Sequence, residues 1–154
     1  MNVTVEAMPE YRVAAVHHVG PYDRISEAYA RLDDIAGAAG LLRFPECTMV
    51  GIYYNNPQIT PADQLQSDAG VTIPEGVALP DGLLEKRIPA GRYAHTSHIG
   101  PYSLLGKVWS RFMGEWLPRS GHTMGDGLTY EVYRNNPSDT PPERLHTELY
   151  LPIA

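Results

Sequence analysis

One cysteine, two phenylalanines and two tryptophans are all that this 154-residue chain holds of those types. The lone Cys47 cannot close an intrachain disulfide, and no cysteines and histidines stand at the spacing of structural zinc. Basic residues are scarce too. Twelve Lys and Arg against 18 Asp and Glu leave a formal charge of −6, without the electropositive footprint that direct nucleic-acid binding needs. No apolar run approaches a membrane span, and the opening MNVTVEAMPEYR lacks a basic stretch ahead of an apolar core. The expectation is a cytoplasmic protein with no membrane partner. No glycine-rich loop carries the lysine of a phosphate cradle, and no serine sits in a GxSxG elbow. Cys47, within RFPECTM, has no adjacent histidine to activate it. No catalytic residue, metal ligand or cofactor is therefore expected.

What the chain has in quantity is repetition. RVAAVHHVGPY at Arg12 to Tyr22 returns as RYAHTSHIGPY at Arg92 to Tyr102, and YYNNPQITPADQL at Tyr53 to Leu65 returns as YRNNPSDTPPERL at Tyr133 to Leu145. Both displacements are 80 residues (Pro101 minus Pro21, Pro137 minus Pro57), and the register holds without a gap from Pro9/Pro89 to Ile73/Ile153. Such self-similarity marks a duplicated supersecondary unit. Each half is too small to bury a sheet face alone, so residues 1–154 read as a single domain: repeat one 1–74, a Pro- and Gly-rich linker 75–82, and repeat two 83–154.

Within each copy the pattern is β-β-α-β-β. Asn2 to Ala7 and Arg12 to His18 are β-prone and bounded by Pro9 and Gly20-Pro21. Tyr22, Ile25, Tyr29, Leu32 and Ala36 then recur at helical spacing, which predicts a helix from Tyr22 to about Ala39. Thr48 to Tyr54 and Leu65 to Ile73 are the remaining strands. In copy two, Tyr102, Leu105, Trp109, Phe112 and Trp116 form the helical stripe, with Pro118 and Gly121 expected to end it. The fold class is α+β: a pseudo-twofold antiparallel sheet with two helices packed on it. One position breaks the repetition in an informative way, because Gly51 of copy one faces Glu131 of copy two in the alignment.

The HxGPY element ahead of a helix, the later YxNNP, and YEVYRNNP followed by TELYLPI resemble the GyrI-like small-molecule-binding domain, which is also the effector-binding part of Rob-type and BmrR-type transcription regulators. The resemblance spans the whole chain. It implies tandem SHS2-type modules, the multidrug-effector-binding fold, with a ligand cleft between them and a strand glutamate facing bound organic cations. That glutamate falls on Glu131. The regulators also carry a helix-turn-helix, for which this chain has no residues left.

On a strand, Thr129, Glu131 and Tyr133 share one face. A carboxylate there loses hydration and needs hydrogen bonds, a cation or its proton. Ten tyrosines are available to surround it. The candidate ligand-binding set is Glu131, Tyr133, Tyr53, Trp109, Trp116, Tyr150 and Tyr22, suited to a small aromatic or cationic molecule. Two alternatives use the same chain. One is a hydrolase of electrophilic cyclopropanes with Glu131 as acid–base, and the other a gyrase-inhibitor-like protein acting through contact with gyrase or a transcription regulator. The Asn55-Asn56-Pro57 and Asn135-Asn136-Pro137 motifs read as turns, and His18 and His98 as strand-end hydrogen-bonders.

Overall fold

Each copy contributes four strands to one sheet, and the duplication sets their lengths. The computed structural model describes residues 1–154. Copy one supplies β1 (Thr4–Met8), β2 (Tyr11–Val19), β3 (Met49–Tyr53) and β4 (Gln66–Thr72); copy two supplies β5 (Leu84–Ile88), β6 (Gly91–Ile99), β7 (Thr129–Tyr133) and β8 (His146–Pro152). Every strand of copy two begins and ends 80 residues after its counterpart. All pairings are antiparallel, in the order β1-β6-β8-β7-β3-β4-β2-β5.

That order contains an exchange. β1 does not pair with β2, which follows it directly; it crosses to β6 of the other copy, and β5 crosses back to β2. The short link of Pro9 and Glu10 therefore joins β1, at one end of the sheet order, to β2, next to last at the other. Arg12 on β2 pins the return crossing, pairing with Glu85 on β5 while its Nη1 donates to the Pro74 and Val77 carbonyls at 2.9 and 2.8 Å.

The middle of the sheet is the β3–β7 pairing, in which Gly51 stands directly opposite Glu131. Since those two residues are themselves 80 apart, this cross-strand pair lies on the pseudo-twofold axis. Its neighbours follow the same symmetry, with Met49 opposite Tyr133 and Tyr53 opposite Thr129.

Both helical segments pack on the sheet face to which Gly51 and Glu131 point. Helix α1 (Ser26–Ala38), entered through a 3-10 turn at Tyr22–Arg24, buries Ala28, Leu32 and Ala36 at i, i+4, i+8 spacing against Val16 and Val71. In copy two, α2 (Leu105–Arg111) runs into a π turn (Phe112–Trp116) and one more α turn, α3 (Leu117–Ser120), burying Leu105 and Phe112 against Leu149 and Leu151. Pro118 therefore does not end the helix, contrary to expectation. It lies in the first turn after the π segment, whose wider turn accommodates a residue that has no N–H to give back and a ring that crowds the preceding turn. Gly121, at φ of +80°, is the true terminator.

On the other face the curled sheet closes over a third cluster, which includes Val13, Ile52, Ile88, Tyr93, Tyr130 and Tyr150. His95, Tyr150 and Tyr130 form a column of stacked rings, with centroids 4.6 and 4.7 Å apart.

The exchange predicts that neither half folds alone, since each lacks a partner for the outer edge of its long strand. Residues 1–74 and 75–154, expressed separately, should each lack a cooperative thermal transition by circular dichroism and recover one on mixing. A cooperative melt from either isolated half would show that the crossing strands are dispensable.

Candidate ligand groove

Glu131 is the polar centre of the helix-bearing face. It is only 3% exposed, although it lies on a strand beside a large opening. Three donors meet it: the Tyr133 hydroxyl at 2.6 Å and the Tyr53 hydroxyl at 3.0 Å from Oε1, and the Trp109 indole N–H at 2.6 Å from Oε2. The two hydroxyls are 2.9 Å from one another. Burial pushes the Glu131 carboxyl above its ordinary range, and the bonds from Tyr133, Trp109 and Tyr53 pull it back only in part. Desolvation raises the Tyr53 and Tyr133 phenols well above their usual value, and the nearby Glu131 charge adds to it. Both stay protonated as donors.

The surrounding tyrosines are fixed in turn. Tyr29 on α1 donates to the Val50 carbonyl at 2.6 Å and meets Tyr133 edge-on at 5.8 Å. Tyr22 donates to the Asn55 carbonyl at 2.7 Å and sits edge-on to Tyr53 at 4.9 Å, while Tyr102 leans on Tyr133 at 5.5 Å. The asparagine motifs hold the rims as turns. Asn56 and Asn136 each accept from the backbone N–H two residues on, at 2.9 Å in both copies. His18 and His98 reach the Pro21 and Pro101 carbonyls at 3.0 and 3.3 Å, in keeping with a strand-end role.

Gly51 now has a reason. A Cβ there would lie 2.8 Å from the Tyr133 hydroxyl, 2.9 Å from that of Tyr53 and 3.0 Å from that of Tyr29. The space that copy two fills with a carboxylate is filled beside Gly51 by three hydroxyls, two of which bind that carboxylate.

Above this floor runs a groove of about 1650 Å³, bounded by both helices and both asparagine loops. Its lining holds four carboxylates, from Asp23, Asp33, Glu131 and Asp139, against the single guanidinium of Arg134. Phe44 and Met124, also 80 apart, line it while remaining 57% and 44% exposed.

Of the seven residues singled out in the sequence, Glu131, Tyr53, Tyr133, Trp109 and Tyr22 come together here. Trp116 and Tyr150 do not. Trp116 lies past the start of the π turn, packed on Phe112 and His122. Tyr150 differs in strand parity: Leu149, not Tyr150, stands opposite Glu131, which sends the Tyr150 ring to the other face beside Tyr130. Tyr29 and Tyr102 were passed over as helix-packing residues. Their signal was the duplication itself, since Tyr29 is the counterpart of Trp109 and Tyr102 that of Tyr22.

Two modules exchanging edge strands, with a buried acid at the seam beneath an aromatic groove, define a ligand-binding α+β domain. The family model described as "GyrI-like small molecule binding domain" matches residues 1–154, and the chain belongs to that family. It is 30% identical to a protein named DNA gyrase inhibitor from Erwinia billingiae, covering 100% of this chain and 98% of that one. The EcmrR C-terminal domain superposes with a TM-score of 0.77 at 16% identity, over 99% of this chain and 97% of the other. SAV2435 bound to tetraphenylphosphonium gives 0.67 at 11%, over 100% and 94%. No helix is long and apolar enough to cross a membrane.

Gly51→Ala should destabilise the fold by about 1–3 kcal/mol, because three hydroxyls already held by other bonds must shift. Urea denaturation measures this. A change below about 0.5 kcal/mol, the scale of an unremarkable surface substitution, would mean the phenol cluster yields freely.

Proposed function

We propose that the groove binds small, hydrophobic organic cations that carry aromatic rings, with Glu131 as the counter-charge. The observation carrying this reading is a carboxylate that burial has stripped of water and that only neutral donors serve. Neutral donors stabilise the charge but do not cancel it, so a cation in the groove supplies what the fold withholds.

Because both carboxylate oxygens are engaged, the cation is read at one remove. Each phenol whose proton turns to Oε1 presents its oxygen lone pairs away from that proton. At about 6–7 Å from the carboxylate and an effective dielectric near 20, the attraction is about 2–3 kcal/mol. Aromatic faces add about 0.5–2 kcal/mol each. One charge and several rings discriminate weakly among hydrophobic cations, so selectivity is broad. The same engagement argues against turnover of electrophilic cyclopropanes, which would need a carboxyl oxygen free to exchange a proton with substrate. The acidic lining and the tetraphenylphosphonium held by SAV2435 support a cationic ligand.

The relatives' name supports a second, compatible activity: contact with gyrase, in the cytoplasm. Added to a supercoiling assay with purified bacterial gyrase, the protein should slow supercoiling; an unchanged rate at large molar excess would remove gyrase as the partner.

Tetraphenylphosphonium tests the groove because its own charge does not titrate. Glu131→Gln should weaken it at least about thirtyfold in a fluorescence titration, the equivalent of the lower end of the charge attraction above. A raised carboxyl binds protons more tightly in the folded chain than in the unfolded one. Glu131 therefore contributes stability that is full below the ordinary value and lost as pH rises through its folded value. Cation affinity runs the other way, rising with pH from about 4.5 through that same window as the carboxylate forms. Equal affinity in the variant, or a pH-independent one in the parent, would remove Glu131 as the counter-charge.

A further inference from the structure

We infer that the sheet face opposite the groove carries a second ligand pocket, built for a small organic anion with an apolar body. The pocket has a volume of about 300 Å³, at the lower end for small-molecule sites. Its floor is the cross-strand pair Val50 and Val132 with Ile73 beside it. Val50 and Val132, one residue off in strand parity, point away from Glu131, so the two cavities lie on opposite sides of the same β3–β7 seam.

Three phenols and one guanidinium can donate into it, beside the Thr48 and Thr72 hydroxyls. Tyr11, Tyr130 and Tyr150 line it with their phenols, and Arg134 borders it. The Tyr130 side chain is 1% exposed and its hydroxyl has no hydrogen-bond partner anywhere in the chain, an arrangement that costs stability unless something accepts from it. Its ring cannot turn away, being stacked on Tyr150 at 4.7 Å and met edge-on by Tyr93 at 5.5 Å. Burial raises the Tyr130 phenol far above its usual value, so it remains a donor. Arg134, an exposed residue that borders the groove as well, forms no ion pair, and its positive charge reaches both the Tyr130 and Tyr150 hydroxyls. Glu46 is the one carboxylate in the lining and is exposed at the rim, while the Glu148 and Glu6 charges act on the Tyr150 hydroxyl from beyond the lining.

A fixed phenol and an unpaired guanidinium over an aliphatic floor need an acceptor that is also charged. A carboxylate on a small hydrophobic body meets all three demands. The pocket exists once, not twice. The counterparts of Arg134, Tyr130 and Tyr150 in copy one are Tyr54, Val50 and Gly70, which provide neither the guanidinium nor the stacked phenols. As at Glu131, chemistry stands where the copies differ.

Phenylacetate, with neutral phenylacetamide as its near-isostere, tests this on the full chain by NMR titration. Phenylacetate should shift the amides of Val50, Tyr130, Val132 and Tyr150 saturably and at least about tenfold more tightly than the amide, the scale of one charge-assisted hydrogen bond. Tyr130→Phe and Arg134→Gln should each weaken it about tenfold. Tyr130→Phe is the sharper variant, because Tyr130 borders only this pocket and the change removes an unpaired hydroxyl, so the melting temperature should not fall. Phenylacetate should also bind Glu131→Gln as it binds the parent, and bind alongside saturating tetraphenylphosphonium. Equal binding of acid and amide, insensitivity to Tyr130→Phe, exclusion by tetraphenylphosphonium, or no saturable shift at millimolar phenylacetate would each overturn the proposal.

Discussion

A duplicated chain that folds about a twofold axis must bring one pair of equivalent positions face to face, and here that pair is Gly51 and Glu131 on β3 and β7. Directly opposed residues in an antiparallel sheet have Cβ atoms only about 4.5–5.5 Å apart. Two buried glutamates at that distance could not both ionise, and two glycines would leave no charge at all. Only at the axis are the copies obliged to differ if the seam is to hold a single carboxylate. The rest of the site follows. The phenols of Tyr53, Tyr133 and Tyr29 converge on the volume that Gly51 leaves open, and two of them bond to the acid on the other strand.

This arrangement keeps a charge nearly dry without discharging it. A salt bridge would have stabilised Glu131 more fully, but it would also have satisfied it and left a cation with little to gain. Neutral hydroxyl and indole donors leave the carboxyl raised above its ordinary range, and in the function proposed above that leaves an attraction for a cationic ligand. The exchanged strands β1 and β5 add to this by tying each copy to the other's long strand, which makes the seam a property of the whole sheet.

The duplication made the fold legible. An 80-residue offset read from two motifs located all eight strands, and the alternation around Glu131 put Thr129 and Tyr133 on its face. The strand exchange was not legible, because β1 and β2 are adjacent in sequence and nothing in the composition of Pro9 and Glu10 distinguishes a hairpin from a crossing. Tyr150 was misassigned for want of register: parity within a strand is readable, but parity between β7 and β8 depends on which residues pair. The π turn escaped because a proline usually ends a helix, and only the packing of Phe112 under the sheet shows that this one continues. Trp116 went with it, since helical spacing aligned it with Trp109 while the wider turn carried it off the groove.

The central claim concerns the ionisation of one side chain, and carbon-13 NMR of the Glu131 side-chain carboxyl reads it directly. Followed against pH with and without tetraphenylphosphonium, that carbon should titrate above the ordinary carboxyl value of 4.5 in the free protein and at lower pH once the cation is bound. A midpoint at or below the ordinary value in the free protein, unmoved by the cation, would contradict the account.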